Sequence, residues 1–212
     1  MNRPTLILLK SLVWLACLVP CARLVWGAVT NHLGPDPAAE IAFSTGLATL
    51  RLLTITLAIT PLRRSGASLV PALAAQFNWL IKFRRLVGLF AFFYATLHVI
   101  AWVALYSAFD LHAMLADVAR RRFIAAGVAA YLLLLPLALT STTFAIRKLG
   151  GRNWNRLHRL VYIAATCGVI HYWWQVKPGV RTPITITAIL ALLFLARPIT
   201  AWLHRRKAHA AA

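Results

Sequence analysis

The chain has 212 residues, of which 61% are hydrophobic and 13% charged, with a mean hydropathy of +0.73 and a formal net charge of +19. Soluble domains sit nearer 45–50% apolar, so a water-soluble globule is excluded and a membrane protein is indicated. The 23 Lys/Arg residues fall in short clusters between apolar runs, the pattern of cytoplasmic anchoring rather than of a nucleic-acid surface.

Apolar runs long enough to cross a hydrocarbon core of about 30 Å recur along the chain. The first, Leu6–Ala28, is broken only by Lys10, Pro20 and Arg23. It is longer than a signal-peptide core and reads as a first membrane helix. Cys17 and Cys21 lie one turn apart within it, and with Cys167 they match neither a zinc nor a redox spacing. They read as packing residues.

Five further spans follow: Ile41–Thr60, Leu86–Tyr106, Phe123–Leu139, Leu160–Trp174 and Ile184–Leu203. The fifth can begin as early as Trp154. Pro61, Pro71, Pro136, Pro178 and Pro183 fall at or near span ends, where helix boundaries are expected. The expected fold is all-α: one polytopic bundle of about six transmembrane helices covering residues 1–212, with a short basic tail from about 204 to 212.

Placing the N-terminus in the cytoplasm puts sixteen basic residues inside, including Lys82, Arg84, Arg85 and Arg147, Lys148, Arg152, Arg156, Arg159. Five lie outside: Arg120, Arg121, Arg122, Lys177 and Arg181. The bias predicts both termini in the cytoplasm, with the outer triplet Arg120–Arg122 as its awkward member. No GxGxxG or Walker loop is present, so no nucleotide-binding unit is expected.

Of seven histidines, His32, His112, His204 and His209 lie in loops or in the tail. His98 lies in the third span, while His158 and His171 lie at opposite ends of the fifth. An ionisable group inside a membrane is costly and usually functional. His98 is 14 residues beyond Arg84, and His171 is 13 beyond His158, rises of about 21 and 20 Å. His98 and His171 are therefore expected at one outer depth, where two facing imidazoles can supply both axial bonds to a haem iron. Thirteen residues leave His158 and His171 well apart in rotation, so the fifth helix must turn between neighbours, bend, or contain an irregularity. The same histidines would also suit the proton relay of a small transporter, although no inverted repeat or paired broken helix supports that reading.

The segments Arg84-Arg85-Leu-Val-Gly-Leu, Tyr94-Ala-Thr-Leu-His98, Trp154-Asn-Arg-Leu-His158-Arg-Leu-Val-Tyr162 and Ile170-His171-Tyr-Trp-Trp resemble the MsrQ family over nearly the whole chain. These are haem-binding membrane subunits of periplasmic methionine-sulfoxide reductases, related to ferric-reductase and NADPH-oxidase membrane domains. The wider relatives carry two histidines on each of two helices and bind two haems. Three of those four positions are His98, His158 and His171; the fourth is Arg84.

The resemblance implies haem b, one or two per chain, with His98, His171 and His158 as axial ligands and the first two forming a complete outer site. At His158, where the fourth position is Arg84, it leaves open a second haem with an unidentified partner or an open position, a place in the first haem's surroundings, or a flavin or quinone site; FMN is implied as a further cofactor. Arg84, Arg85, Arg156 and Arg159 would suit haem propionates or serve as inner anchors, and mid-span Arg51 would also suit a propionate. The relatives' appended flavin domain is missing. The implied donor is therefore the quinone pool or a soluble flavin reductase, and the implied acceptor is the periplasmic molybdopterin subunit MsrP. The implied setting is the bacterial inner membrane.

Overall fold

A computed structural model describes residues 2–69, 78–176 and 182–210, all helix, turn or irregular backbone with no strand among the described residues. α1 spans Arg3–Val29 and α2 spans Pro37–Leu69. A short 3₁₀ turn then leads into α3, Ile81–Ala101, which continues as a π-helical turn over Trp102–Tyr106. α4 is Leu111–Arg120, α5 is Arg122–Leu139, and two short helices follow, α6 at Thr143–Leu149 and α7 at Gly151–Leu157. α8 is Leu160–Gln175 and α9 is Thr182–Ala210.

The chain is a helical membrane bundle. Among the described residues, four stretches are long and apolar enough to cross a bilayer: Arg3–Val29, Pro37–Arg63, Ile81–Tyr106 and Arg122–Leu139. The last two expected spans are shorter on that measure: α8 has 16 residues, and the apolar part of α9 is Thr182–Ala196. The basic tail continues α9 as helix to Ala210.

Proline does not mark every boundary as expected. α2 runs through Pro61, and α5 ends three residues after Pro136, at Leu139. Pro183 sits in the first turn of α9, where a missing N–H costs nothing, whereas Pro71 and Pro178 lie outside the described residues. The connection after the third span, which reads as loop, contains α4, whose first turn is capped by the Asp110 carboxylate accepting from the amides of His112 and Ala113. At the end of α4, the Arg121 guanidinium lies 3.1 Å from the Asp117 carboxylate.

Two helix pairs form the body of the bundle, α2 with α3 and α5 with α8. Leu50, Leu53 and Leu57 of α2, Ala91 and Ala95 of α3, Leu134 and Leu137 of α5, and Ala164 and Ala165 of α8 join them in one buried cluster. The alanines let the backbones approach closely, which is how helices associate where lipid offers no hydrophobic advantage. α9 covers α2 and α8 and contributes Ile186 and Leu190 to the same cluster.

α1 lies at the periphery, with only Cys17 and Gly27 buried. Pro20 interrupts its hydrogen-bond ladder. The Tyr94 hydroxyl, on α3, enters beside that break: it donates to the Cys17 carbonyl at 2.7 Å and accepts from the Cys21 amide at 3.0 Å. Those two groups are the i and i+4 partners of an uninterrupted helix. A buried side chain thus bridges the ladder and pins α1 to α3.

Candidate functional site

The structure brings His98 and His171 together. Their ring centroids are 5.8 Å apart, with the planes at 79°. One metal ion bound from both sides at about 2 Å per imidazole bond would set the centroids roughly 6 Å apart, so the spacing fits.

Each ring is held in the same way. His98 Nδ1 bonds the Ala42 carbonyl of α2 at 2.8 Å, and His171 Nδ1 bonds the Phe123 carbonyl of α5 at 2.6 Å. A carbonyl only accepts, so each Nδ1 carries the proton and each Nε2 of the neutral ring presents a lone pair. A backbone carbonyl behind a ligating histidine fixes both tautomer and ring angle.

Four residues beyond each carbonyl stands a glycine against the same ring. A Cβ on Gly46 would lie 3.0 Å from His98 Cε1 and 3.1 Å from Nδ1. On Gly127 it would lie 2.8 Å from His171 Nδ1 and 3.0 Å from Cε1. The helix pairs α2–α3 and α5–α8 thus carry matching seats, each with a carbonyl at position i, a glycine at i+4 and the imidazole of the neighbouring helix laid across them. Sequence reading did not find Ala42, Gly46, Phe123 or Gly127. The available signal was a glycine inside each of two apolar spans, which marks close approach.

His158 lies elsewhere, at the break between α7 and α8. The chain turns at His158 and Arg159, so the offset between the two histidines of this region is resolved by a local irregularity. Its ring stacks on Trp154 with centroids 3.7 Å apart, and Nδ1 lies 3.1 Å from the Trp154 carbonyl. Trp154 is itself anchored, donating from Nε1 to the Thr140 carbonyl at 2.9 Å. Nε2 lies 3.5 Å from Ser141 Oγ, a long contact because that hydroxyl donates to the Leu137 carbonyl at 2.7 Å.

Half-buried Arg84 is within electrostatic range of His158. Arg85, Arg156 and Arg159 are exposed. Arg51 is also exposed and sits nine residues beyond Ala42, about 180° around α2, so it faces away from the paired histidines.

Among the described residues no group of three or more His, Cys, Asp or Glu side chains could hold a metal ion. Two imidazoles suit a metal whose equatorial positions a macrocycle already fills. The donor set, tautomers and spacing at His98 and His171 all fit that case.

Comparison with known proteins identifies the family. Residues 45–169 match the ferric reductase like transmembrane component, a stretch that contains His98 and His158 and stops just short of His171. The chain is 45% identical over 211 residues to the protein-methionine-sulfoxide reductase heme-binding subunit MsrQ of Herminiimonas arsenicoxydans, covering 99% of this chain and 93% of the relative. It is 42% identical to MsrQ of Ralstonia nicotianae, covering 90% and 83%, and 40% identical to MsrQ of Caulobacter vibrioides, covering 95% and 90%. The chain belongs to the MsrQ family. The MsrQ relatives are named for haem binding.

Proposed function

We propose that the chain is a haem b electron-transfer subunit of the inner membrane, with both termini cytoplasmic and residues 1–212 forming one membrane domain ending in a basic tail. The observation that carries this reading is the His98–His171 pair, 5.8 Å apart with both Nδ1 atoms tethered to backbone carbonyls. When bound, the haem supplies a one-electron couple. His98 and His171 would hold it through their Nε2 atoms, in an apolar surround and at fixed ring angles.

The two seats fix the tautomer and angle of each imidazole, which would hold a bound haem in one orientation of its ligands. The positive-inside count places this pair toward the periplasm and His158 with Arg84 toward the cytoplasm. Electrons therefore enter at the inner end, from quinol or a soluble flavin reductase, and leave at the outer end to a periplasmic molybdopterin methionine-sulfoxide reductase, MsrP. His158, with Arg84 beside it, serves as ligand at a second, inner site. FMN, if bound, belongs to that inner end, where donors are at hand.

The test is a reduced-minus-oxidised spectrum of the detergent-purified protein with haem and iron quantified per chain. Sharp b-type bands with at least one haem are expected. A count near two assigns His158 a haem of its own, whereas a colourless, iron-free protein from haem-sufficient cells would overturn the reading.

A further inference from the structure

Haem b carries two carboxylates, and the basic residues beside the Phe123 seat, Arg120, Arg121 and Arg122, are all exposed where α4 meets α5, with Arg121 already paired to Asp117. Arg84 belongs with His158, 14 residues and about 21 Å of helix from His98. Arg51 faces the opposite side of α2 from the His98 seat.

The outer end instead holds three buried side-chain donors that lack a partner: Trp102 Nε1, Ser107 Oγ and Tyr172 OH. Thr60 Oγ1 is another such atom, but it lies at the inner end of α2. Buried polar groups are normally paired, because an unmade hydrogen bond forfeits the hydration lost on burial. All three follow the paired histidines in the outward direction of α3 and α8, where the two propionates of a haem would offer four acceptor oxygens.

Their placement supports this. Trp102 is one turn beyond His98, about 40° around the helix and about 6 Å further outward. It opens the π turn, in which the Ser107 amide bonds the Trp102 carbonyl at 3.1 Å and so folds Ser107 back toward it. Single π turns inside α-helices recur at functional sites. Tyr172 follows His171 directly, and its ring centroid is 6.3 Å from that of Phe43, the neighbour of the Ala42 carbonyl that holds His98. Ser107 and Tyr172 are only 6% and 7% exposed, so the groups are withheld from bulk water.

We infer that Trp102, Ser107 and Tyr172 form a carboxylate-binding rim that holds the propionate edge of a haem seated between His98 and His171, with that edge turned to the outer face. The inference rests on the proposed haem ligation. A carboxylate only accepts hydrogen bonds, and each of the three groups can donate one.

The experiment uses the full chain, produced without haem and titrated in detergent with haemin and with haemin dimethyl ester, whose carboxylates are capped. Soret absorbance reports each dissociation constant. The unmodified chain should prefer the free acid by about tenfold or more, the range of hydrogen bonds to a charged group. Ser107→Ala, Tyr172→Phe and Trp102→Phe should each shrink that preference and together largely remove it, lowering affinity for the free acid more than for the ester, whose carbonyls still accept but carry no charge.

The ester serves as the check that each variant folds, and if one fails the other two carry the test. Equal affinity of the unmodified chain for both forms, or variants that keep the full preference, would overturn the rim alone. Failure of both forms to give axial-ligand bands with the unmodified chain would remove the haem reading as well.

Discussion

The outer and inner histidine regions differ in who holds the imidazole. At the outer end the tether comes from another helix: α2 grips the ring of α3, and α5 grips the ring of α8. At the inner end His158 is held by its own segment, stacked on Trp154 and directed at the Trp154 carbonyl four residues back. A ring fixed by a neighbouring helix is positioned by the whole bundle, whereas one fixed by its own turn moves with that turn. The outer pair is therefore preorganised by tertiary packing, and the inner residue by local structure.

The largest effect should come from removing a ring of the outer pair. His98→Ala or His171→Ala should abolish the outer haem, with loss of its low-spin bands in the oxidised spectrum and one fewer haem per chain. His158→Ala should leave those bands in place and alter only a separate signal. If all three variants kept full haem content, the ligand assignment and the contrast between the regions would both fail.

The seats are the next target. Gly127→Ala places a methyl 2.8 Å from His171 Nδ1, closer than ordinary contact, and Gly46→Ala places one 3.0 Å from His98 Cε1. Neither ring can retreat without stretching its carbonyl bond. Both variants should reduce haem occupancy or change the low-spin electron-paramagnetic-resonance signal, Gly127→Ala more strongly. Trp154→Ala is the inner counterpart. It removes the stack under His158 and the Nε1 bond to Thr140, so it should perturb only the His158-dependent signal. A shift of the outer signal in Trp154→Ala would show that the two regions are one coupled unit.

Much of this was legible in the sequence, because the spans are long, mostly apolar runs and the imidazoles keep compatible rises from Arg84 and His158. The height argument needs only 1.5 Å per residue, and it placed His98 opposite His171. The seats were not legible. Ala42 and Phe123 act through main-chain carbonyls, to which side-chain identity is blind, and Gly46 and Gly127 matter only once the facing helix is known. The rotation of His171 against His158 stayed open because a two-residue turn at His158 and Arg159 follows from no single residue type. α4 was missed for a different reason: its cap, Asp110, is plain in hindsight, but the ten-residue segment is too short and too polar to register as a span.

The smallest effect on either site should come from Tyr94, although it lies one turn below His98 on the same helix. Its hydroxyl bridges the Cys17 carbonyl and the Cys21 amide beside Pro20. Tyr94→Phe keeps the ring and removes both side-chain bonds to the backbone of α1, a cost of about 1–3 kcal/mol. Thermal unfolding in detergent should fall accordingly, and α1 should become more accessible to protease. The haem spectrum should not change, because α1 contributes nothing to either seat and the Ala42 and Gly46 contacts lie on the far side of His98's own helix pair. A Tyr94→Phe variant that lost haem while keeping its melting temperature would place α1 inside the site after all, and the outer region would then depend on three helices where the geometry uses two pairs.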